Sequence, residues 1–452
     1  MKTLDEVLGG SRYQGYLYAY PHKTAYRPLD PPQPLAPLWA GERRDRLFLY
    51  LHVPFCEMRC GFCNLFTRPL PDGGDDDRVA AYVATLERQA RVVRRCLDEG
   101  DAAGPARFAR AAIGGGTPTF LSPALLERVI AMLAILGAER GIPLSVETSP
   151  ATATRDRIGL LVAAGADRIS IGVQSFVDDE CRAVGRPQRA ADVHRALRAI
   201  RDAGPATLNL DLMYGLPGQT AASWRASLDA ALGYRPEEIY LYPTYARPLT
   251  PLGKRAARRG DDGDDARPGL YAQGREHLLA AGYAQVSMRM FRRRDAGDGA
   301  ATAPVYCCQD DGMVGLGCGA RSYTRGLHYA CDYAVGARGV RAILDRWIAR
   351  DDSAFARADH GIALDAAEQR RRWLILSILS DQGADGADYA RRFGGDLAAD
   401  APELDELAAR GLAVRDQARW QLTARGVACS DVIGPWLVSA PVRALMAGWE
   451  GA

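Results

Sequence analysis

Residues 50–63, Tyr50-Leu-His-Val-Pro-Phe-Cys56-Glu-Met-Arg-Cys60-Gly-Phe-Cys63, join a strand-like apolar run to three cysteines. The run breaks at a proline, and the three thiols then fall within eight positions. A loop this short lets the thiolates converge on one small inorganic centre, so we predict an iron–sulfur cluster on Cys56, Cys60 and Cys63. Structural zinc is the alternative, but it needs a fourth nitrogen or sulfur ligand, and His52 is the only nearby donor.

The number of cysteines has a chemical consequence. A cubane of four irons held by three cysteines leaves one iron open. C-x3-C-x2-C after a predicted strand resembles the radical S-adenosylmethionine (SAM) superfamily, in which SAM chelates the open iron through its amino and carboxylate groups. The resemblance implies that the reduced cluster cleaves SAM to methionine and a 5′-deoxyadenosyl radical, which abstracts a hydrogen atom.

The composition is that of a globular protein with more than one domain. Of 452 residues, 48% are hydrophobic and 25% are charged. The net charge of +2 favours neither nucleic acid nor an anionic membrane as a partner. No apolar run approaches the roughly 20 residues that span a bilayer, and no apolar leader follows Met1. Together with ten scattered cysteines, these features predict a cytoplasmic location.

Short apolar runs alternate with amphipathic segments from Leu47 to Thr244. The predicted strands are Leu47 to Val53, Ala111 to Gly114, Leu144 to Thr148, Arg168 to Gln174, Leu208 to Met213 and Ile239 to Tyr242. The predicted helices are Val79 to Leu97, Pro123 to Leu136, Arg155 to Ala164, Ala191 to Ala203 and Ala221 to Ala231. This alternation predicts an α/β fold with a parallel sheet, helices outside it, and ligands at the carboxyl ends of the strands.

Polar or glycine-rich residues follow several of these strands. Gly114-Gly-Gly-Thr-Pro-Thr119 follows the second strand, and its glycines would let free N–H groups approach a carboxylate or a ribose. Glu147 ends the third strand and suits a ribose diol or an ammonium group, with a helix N-terminus as the alternative partner. Asp211 interrupts an apolar strand, and since a buried carboxylate needs a partner, we expect it to face a ligand.

The combination of motifs narrows the resemblance. Tyr-x-His-x-Pro-Phe-Cys, Gly-Gly-Gly-Thr-Pro-Thr, Gly-Val-Gln-Ser-Phe and Asp-Leu-Met-Tyr-Gly-Leu-Pro occur in this order from residue 50 to residue 217. Together they resemble the oxygen-independent coproporphyrinogen III oxidase-like branch of radical SAM enzymes. That resemblance implies a partial (β/α)6 radical SAM barrel and a [4Fe-4S] cluster on Cys56, Cys60 and Cys63, with S-adenosylmethionine bound to it.

The same resemblance implies two sets of cofactor contacts. The positions that match contacts to the cluster-bound SAM are Tyr50, Gly115, Glu147, Gln174, Arg186 and Asp211. The positions that match the surroundings of a second SAM, which some members bind, are Phe62, Gly116, Thr117 and Ala246. One SAM is therefore expected in any member, and a second only in those that use two.

An arm rich in tyrosine and proline precedes the catalytic domain. Prolines favour extended backbone in this arm, residues 1–45. We expect it either to pack its tyrosines on the domain surface or to cover the open side of the active site. In the second case His22, Lys23 and Arg27 would be available to an anionic substrate.

The rest of the chain divides into a catalytic domain and an appendage. We assign residues 46–335 to the radical SAM catalytic domain with its C-terminal extension. Helical periodicity and a short strand pair in residues 336–452 predict a helical, winged-helix-like domain. Only Arg370 to Arg372 would favour DNA binding, so no nucleic-acid partner is expected.

Four further cysteines lie in and after a glycine-rich segment. Cys307, Cys308, Cys318 and Cys331 are irregularly spaced. Because cluster ligands repeat at short fixed spacings, we expect packing, or one substrate-facing thiol, rather than a second cluster.

Two departures from the branch bear on function. The oxidases proper carry another cysteine two residues beyond the triad, where this chain has Leu65. The haem chaperones carry a His-Asn-Arg-x-Tyr-like motif, where this chain has Ala303-Pro-Val-Tyr-Cys-Cys. The third kind of member uses a second SAM as a carbon donor. We therefore predict a radical SAM enzyme that modifies a small or peptide-derived substrate by methyl or methylene transfer, with oxidative decarboxylation and haem binding as alternatives.

The resemblance also implies partners. The reduced cluster requires an electron donor such as flavodoxin or ferredoxin, and the substrate is a small or peptide-derived molecule. No protein acid or base can be assigned from the sequence.

Overall fold

The computed structural model describes residues 3–70, 76–99, 104–138, 140–259, 265–296, 308–309 and 312–449. The strands are β1 Arg27–Pro34, β2 Leu47–Val53, β3 Phe55–Cys56, β4 Arg68–Pro69, β5 Phe108–Gly115, β6 Leu144–Thr148, β7 Ala166–Gln174, β8 Thr207–Tyr214, β9 Glu238–Pro243, β10 Tyr283–Gln285, β11 Met290–Arg293, β12 Met313–Leu316, β13 Arg321–Tyr323, β14 Leu327–Ala330, β15 Arg357–Ala363, β16 Ala384–Asp385, β17 Ala413–Asp416 and β18 Arg419–Leu422. The helices are α1 Leu4–Leu8, α2 Leu35–Ala40, α3 Asp77–Glu99, α4 Pro123–Ile135, α5 Arg155–Ala163, α6 Asp178–Ala183, α7 Ala190–Ala203, α8 Ala221–Leu232, α9 Pro251–Arg259, α10 Arg267–Ala280, α11 Ala337–Ile348, α12 Asp352–Phe355, α13 Ala366–Ile378, α14 Gly386–Phe393, α15 Leu397–Asp400, α16 Glu403–Ala409, α17 Ala424–Ala428, α18 Ser430–Leu437 and α19 Ala440–Ala447.

A run of parallel strands forms the centre of the fold. Strands β2, β5, β6, β7, β8 and β9 are neighbours in that order, and each pair is parallel. These are the six strands predicted from the sequence, and α3, α4, α5, α7 and α8 are the five predicted helices, with ends that differ by a few residues. The predicted partial (β/α)6 barrel is confirmed.

The sheet extends beyond the barrel strands on both sides. On one side β12 pairs in parallel with β2, and β13, β14, β15 and β1 follow in antiparallel order. On the other side β11 and β10 extend the sheet from β9. The sheet thus takes β1 from residues 1–45 and β15 from residues 336–452. The division of the chain at these limits stays a prediction.

Side chains of the barrel strands alternate between two environments. Those that face the helices are apolar and buried, such as Leu47, Leu49 and Leu51 on β2. The opposite set, which faces the inside of the barrel, carries most of the polar side chains of these strands: Tyr50, His52, Ser145, Glu147, Arg168, Ser170, Asn209, Asp211, Glu238 and Tyr240. The period-two pattern therefore gives the fold an apolar shell and a polar lumen.

The N-terminal arm packs on the C-terminal helices. Leu4, Leu17 and Tyr20 share a hydrophobic cluster with residues of the last part of the chain, including Trp373 and Ile433. That part consists of helices and the small sheet β16-β18-β17, as the predicted helical domain requires. No helix in the ranges given above combines the length and apolarity needed to cross a bilayer.

Arg27 fastens the arm instead of facing a substrate. Its guanidinium donates to Thr24 O at 2.9 Å, to Tyr26 O at 2.7 Å and to Leu445 O on α19. The expectation that Arg27 is available to an anion is wrong, because these backbone carbonyls take up its donors.

We predict that Arg27→Met lowers the free energy of unfolding by about 2 kcal/mol, since it leaves buried carbonyls without donors. Urea unfolding of the reconstituted protein measures the change. Arg91→Met, on the exposed side of α3, is the matched control and leaves the unfolding curve unchanged. Equal effects of the two substitutions would contradict the anchoring role.

Candidate active site

Distant backbone segments hold the loop that carries the three cysteines. Gly61 N donates to Val184 O at 2.7 Å, and Leu252 N donates to Gly61 O at 2.8 Å. A Cβ at Gly61 would lie 2.6 Å from Val184 O, so only glycine allows this approach. Cys63 N donates to Cys60 O at 3.0 Å and curls the loop. The position of the thiols is thus fixed by contacts from outside the loop.

Two of the three thiols have a polar neighbour supplied by another element. Thr117 Oγ1 lies 3.5 Å from Cys56 Sγ, and Arg186 Nη1 donates to Cys60 Sγ at 3.1 Å. Burial raises the pKa of both Cys56 and Cys63. A buried thiolate is stable only beside positive charge, which iron would supply, so the donor set fits a cluster.

His52 does not serve as a fourth ligand. Its Nδ1 lies 3.1 Å from Tyr50 Oη and its Nε2 lies 3.3 Å from Phe66 O, so both ring nitrogens have partners. Burial lowers the pKa of His52 to about 4, which keeps the ring neutral. A zinc ion on the three cysteines would therefore need its fourth ligand from a residue other than His52.

The glycine run after β5 brings strands close together rather than offering free donors. Gly115 N donates to Glu147 Oε2 at 2.8 Å, and Gly116 N donates to Val53 O at 2.8 Å. The expectation that these N–H groups are free for a ligand is wrong. Gly115 has a φ of +117°, and a Cβ at Gly116 would lie 3.0 Å from Cys56 Sγ. The glycines are required by conformation and by space.

Glu147 and Asp211 face the lumen from β6 and β8. Glu147 accepts from Gly115 N, not from a helix N-terminus, and Asn209 Nδ2 donates to Asp211 Oδ1 at 2.8 Å. Burial raises the pKa of Glu147, and it raises the pKa of Asp211 to about 7. Glu147 is exposed and Asp211 is half-buried, and each has few protein donors, so both are suited to accept hydrogen bonds from hydroxyl or ammonium groups of a ligand.

Gln174 and Arg186 both lie against Gly172 near the end of β7. Arg186 Nη2 donates to Gly172 O at 2.7 Å, and a Cβ at Gly172 would lie 2.8 Å from Gln174 Nε2. Gln174 adopts a φ of +68°, which turns the chain at the strand end. Gly172 is in register with Asp211 on β8. Arg186 therefore links the Cys60 thiol to the strand beside Asp211.

The four residues matched to a second SAM lie in two places. Gly116 and Thr117 are beside Cys56. Phe62 packs on an apolar cluster that includes residues of β8 and α9, and Ala246 is exposed in the segment between β9 and α9. A second SAM at these four residues stays a prediction.

Sequence reasoning missed Glu57, which lies between the first two cysteines. Its Oε1 accepts from Ser149 Oγ at 2.8 Å, and its Oε2 is buried without a partner in the described residues. A carboxylate inside the cysteine motif was the available signal. Glu57 ties the cysteine loop to the end of β6 and keeps one acceptor free.

Three cations lie near His22: Lys23 in the arm, Arg247 beyond β9 and Arg321 on β13. We call the surface that they share the mouth. Lys23 Nζ lies 3.7 Å from the centre of the Tyr333 ring, and the Arg321 guanidinium lies 5.4 Å from that of Tyr18. Arg247 follows β9 and reaches the arm, because a Cβ added at Gly15 would lie 3.0 Å from Arg247 Nη2. Within the described ranges, no carboxylate lies within 4.0 Å of Lys23, Arg247 or Arg321.

His22 stands among these cations as a neutral ring. Its Nδ1 lies 2.9 Å from Thr24 Oγ1. Burial, together with the charges of Lys23, Arg321 and Arg247, lowers the pKa of His22 to about 3. The arm packs Tyr20 and its apolar residues on the C-terminal helices, as the first expectation for it has it. That it also covers the active site stays a prediction.

Comparisons with known proteins identify the family. A model of the radical SAM superfamily matches residues 50–231, and a model of the HemN C-terminal domain matches residues 364–428. An oxygen-independent coproporphyrinogen III oxidase of Paracoccus denitrificans is 31% identical over 362 residues, which cover 77% of this chain and 76% of that protein. The chain belongs to the oxygen-independent coproporphyrinogen III oxidase family of radical SAM enzymes.

Other relatives of this family member agree with the assignment. The haem chaperone HemW of Escherichia coli is 31% identical over 288 residues, covering 61% of this chain and 69% of the chaperone. The solved structure of coproporphyrinogen III oxidase (HemN) from Escherichia coli matches with a TM-score of 0.76 at 23% identity, covering 94% of this chain and 96% of that one. That similarity confirms the fold. A [4Fe-4S] cluster and SAM are the cofactors of this radical SAM family.

We predict that Gly116→Ala disrupts the cysteine loop. The added methyl group would lie 2.4 Å from Phe55 O and against Cys56 Sγ, at a cost of about 1–3 kcal/mol. The iron content and the free energy of unfolding of the reconstituted protein should both fall. Gly159→Ala, whose Cβ meets nothing within 4 Å on α5, is the control and should be neutral or slightly stabilising. Normal iron content in Gly116→Ala would refute the close-packing argument.

We also predict that SAM affinity depends on the ionisation of Asp211. Because burial raises its pKa to about 7, the carboxylate is protonated in acid and becomes a full acceptor only as the pH rises through that value. Affinity should therefore rise by up to about tenfold per pH unit below the pKa and then level off. Calorimetric titration of the anaerobic protein measures this, and Asp211→Asn should bind more weakly with no such slope. If Asp211→Asn showed the same pH dependence of SAM affinity, the titrating group would be a residue other than Asp211.

Proposed function

We propose that the protein is a radical SAM oxidase that acts on a porphyrinogen-like tetrapyrrole bearing several carboxylates. The observation that carries this proposal is the set of mouth cations, Lys23, Arg247 and Arg321, which have no carboxylate partner among the residues that the structure describes. Buried or half-buried cations are costly unless an anion joins them. A substrate with several carboxylates would supply those anions, and the oxidase relatives are named for such a substrate.

The aromatic rings around the mouth support the same substrate class. Tyr18 and Tyr245 lie beside the cations Arg321 and Arg247, and Tyr18 is exposed. An exposed flat ring next to fixed positive charges suits a macrocycle with acidic side chains. Leu65 stands where the oxidases proper carry a cysteine, so the proposal covers the class of substrate and reaction, not one tetrapyrrole.

The residues of the chain have distinct roles in this proposal. Cys56, Cys60 and Cys63 hold the cluster, and Glu147 and Asp211 bind the ribose and amino groups of SAM. When bound, the cluster and SAM supply an electron and a 5′-deoxyadenosyl radical. In this proposal the arm limits the access of bulk water to the space. Flavodoxin or ferredoxin is the proposed electron donor.

Methyl or methylene transfer from a second SAM has less support than the oxidative reaction. That expectation came from Leu65 and from the missing chaperone motif, whose place at residues 303–307 lies outside the described residues. The relatives reported above are named as oxidases and a haem chaperone. The oxidase and chaperone alternatives are therefore the better supported ones.

Haem binding is the second candidate, and one side chain favours it. His22 is a neutral imidazole whose Nδ1 is engaged by Thr24, which leaves Nε2 as a candidate axial ligand for a haem iron. The similarity to the haem chaperone supports this candidate independently.

Turnover with defined products tests the proposal. Anaerobic incubation with reductant, SAM and coproporphyrinogen III should release 5′-deoxyadenosine and carbon dioxide without S-adenosylhomocysteine. Lys23→Met and Arg321→Met should each raise KM by about 10- to 100-fold, because each removes a charged hydrogen bond to the substrate.

The controls separate the candidates. Cys60→Ala should lose the brown chromophore and all turnover, whereas Arg325→Met, an exposed arginine near Arg321 in the chain, should keep KM unchanged. S-adenosylhomocysteine with a methylated product would favour methyl transfer. Stoichiometric haem uptake with little SAM cleavage, lost in His22→Ala, would favour the chaperone function.

A further inference from the structure

Two cysteines outside the cluster loop lie in sulfur–sulfur contact. Cys318 lies in the turn after β12 and is fully buried, and Cys331 directly follows β14 and is partly exposed. Their Sγ atoms are 3.8 Å apart, and both cysteines are free thiols. The irregular sequence spacing hid this pair, because the hairpin β13–β14 brings its members together.

The two thiols of this pair differ in their surroundings. Gly319 N donates to Cys331 Sγ at 3.0 Å. A hydrogen bond from Cys318 and this N–H group lower the pKa of Cys331, whereas burial raises the pKa of Cys318. Cys331, in a partly exposed residue, is therefore the thiol that more readily becomes a thiolate, and Cys318 is the fully buried thiol in contact with it.

We propose that Cys318 and Cys331 are a redox-active dithiol that oxidises reversibly to a disulfide beside the cysteine loop of the cluster. The oxidant is a low-molecular-weight disulfide. The Cys331 thiolate attacks one of its sulfurs, forms a mixed disulfide and releases one thiolate. Cys318 then gives up its proton, attacks Cys331 Sγ and releases the second thiolate. Two protein thiols are oxidised, and one small disulfide is reduced to two thiols.

The turn that contains Cys318 touches the strand that leads to the cluster loop. Cys318 N donates to Tyr82 Oη at 3.1 Å, and Tyr82 Oη donates to His52 O at 2.6 Å. A Cβ at Gly319 would lie 2.8 Å from His52 Nε2. Closing the sulfurs to about 2.05 Å draws this turn toward β14. Oxidation therefore acts on His52 and, through its hydrogen bond, on Tyr50.

Mass spectrometry tests the disulfide directly. The reconstituted protein is treated anaerobically with oxidised glutathione, quenched in acid, alkylated and digested with trypsin. Cleavage after Arg321 and Arg325 places the two cysteines on separate peptides, and fragmentation assigns the linked sulfur, since the first peptide also carries Cys307 and Cys308. We expect a Cys318–Cys331 link, the loss of two free thiols, unchanged iron content, and reversal by a dithiol reductant.

Variants make the result decisive. Cys331→Ser and Cys318→Ser should each abolish the link, whereas Cys96→Ser, a buried cysteine on α3, should retain it. In the protein without substitutions, the disulfide should weaken SAM binding several-fold, and reduction of the disulfide should restore the binding. No link, or a link from Cys331 to Cys63 or Cys308, would overturn the assignment. Equal SAM affinity of the oxidised and reduced protein would overturn the connection to Tyr50.

Discussion

Period-two alternation along the parallel strands is the constraint on which the structure depends. It gives each barrel strand an apolar face for the helices and a second face that must line the lumen. Polar groups placed there are tolerated only with partners, as where Asn209 donates to Ser170 and Asp211, or where Arg168 donates to Glu238. The strands that build the core therefore also build a cavity in which carboxylates are ready for a ligand.

Close backbone contact then brings the separate parts of the site together. Gly61 and Gly116 leave no room for a side chain, and each allows the cysteine loop to touch a neighbouring segment. The arm adds a second layer, because it brings Lys23 and His22 to a mouth already lined by Arg321. Because these cations have no anionic partner among the described residues, they favour the binding of an anionic substrate.

Local patterns account for what could be predicted from the sequence. The six strands, five helices and the cysteine triad follow from periodicity and short spacings. The short strands β12 to β15 could not be predicted, since their pairing joins distant residues that carry little propensity of their own. The same reason hid the contact between Cys318 and Cys331. The sequence suggests free donors at Gly115 and Arg27 because it does not reveal which carbonyl or carboxylate each donor contacts.

The anchoring of Gly61 has a consequence for the life of the molecule. Its two backbone hydrogen bonds reach residues that the ribosome adds much later, Val184 and Leu252. The thiols cannot take up their final arrangement until most of the barrel has been synthesised and closed. Delivery of iron and sulfide is thus a late step of biogenesis. A chain truncated before Leu252 would lack a correctly arranged cluster site.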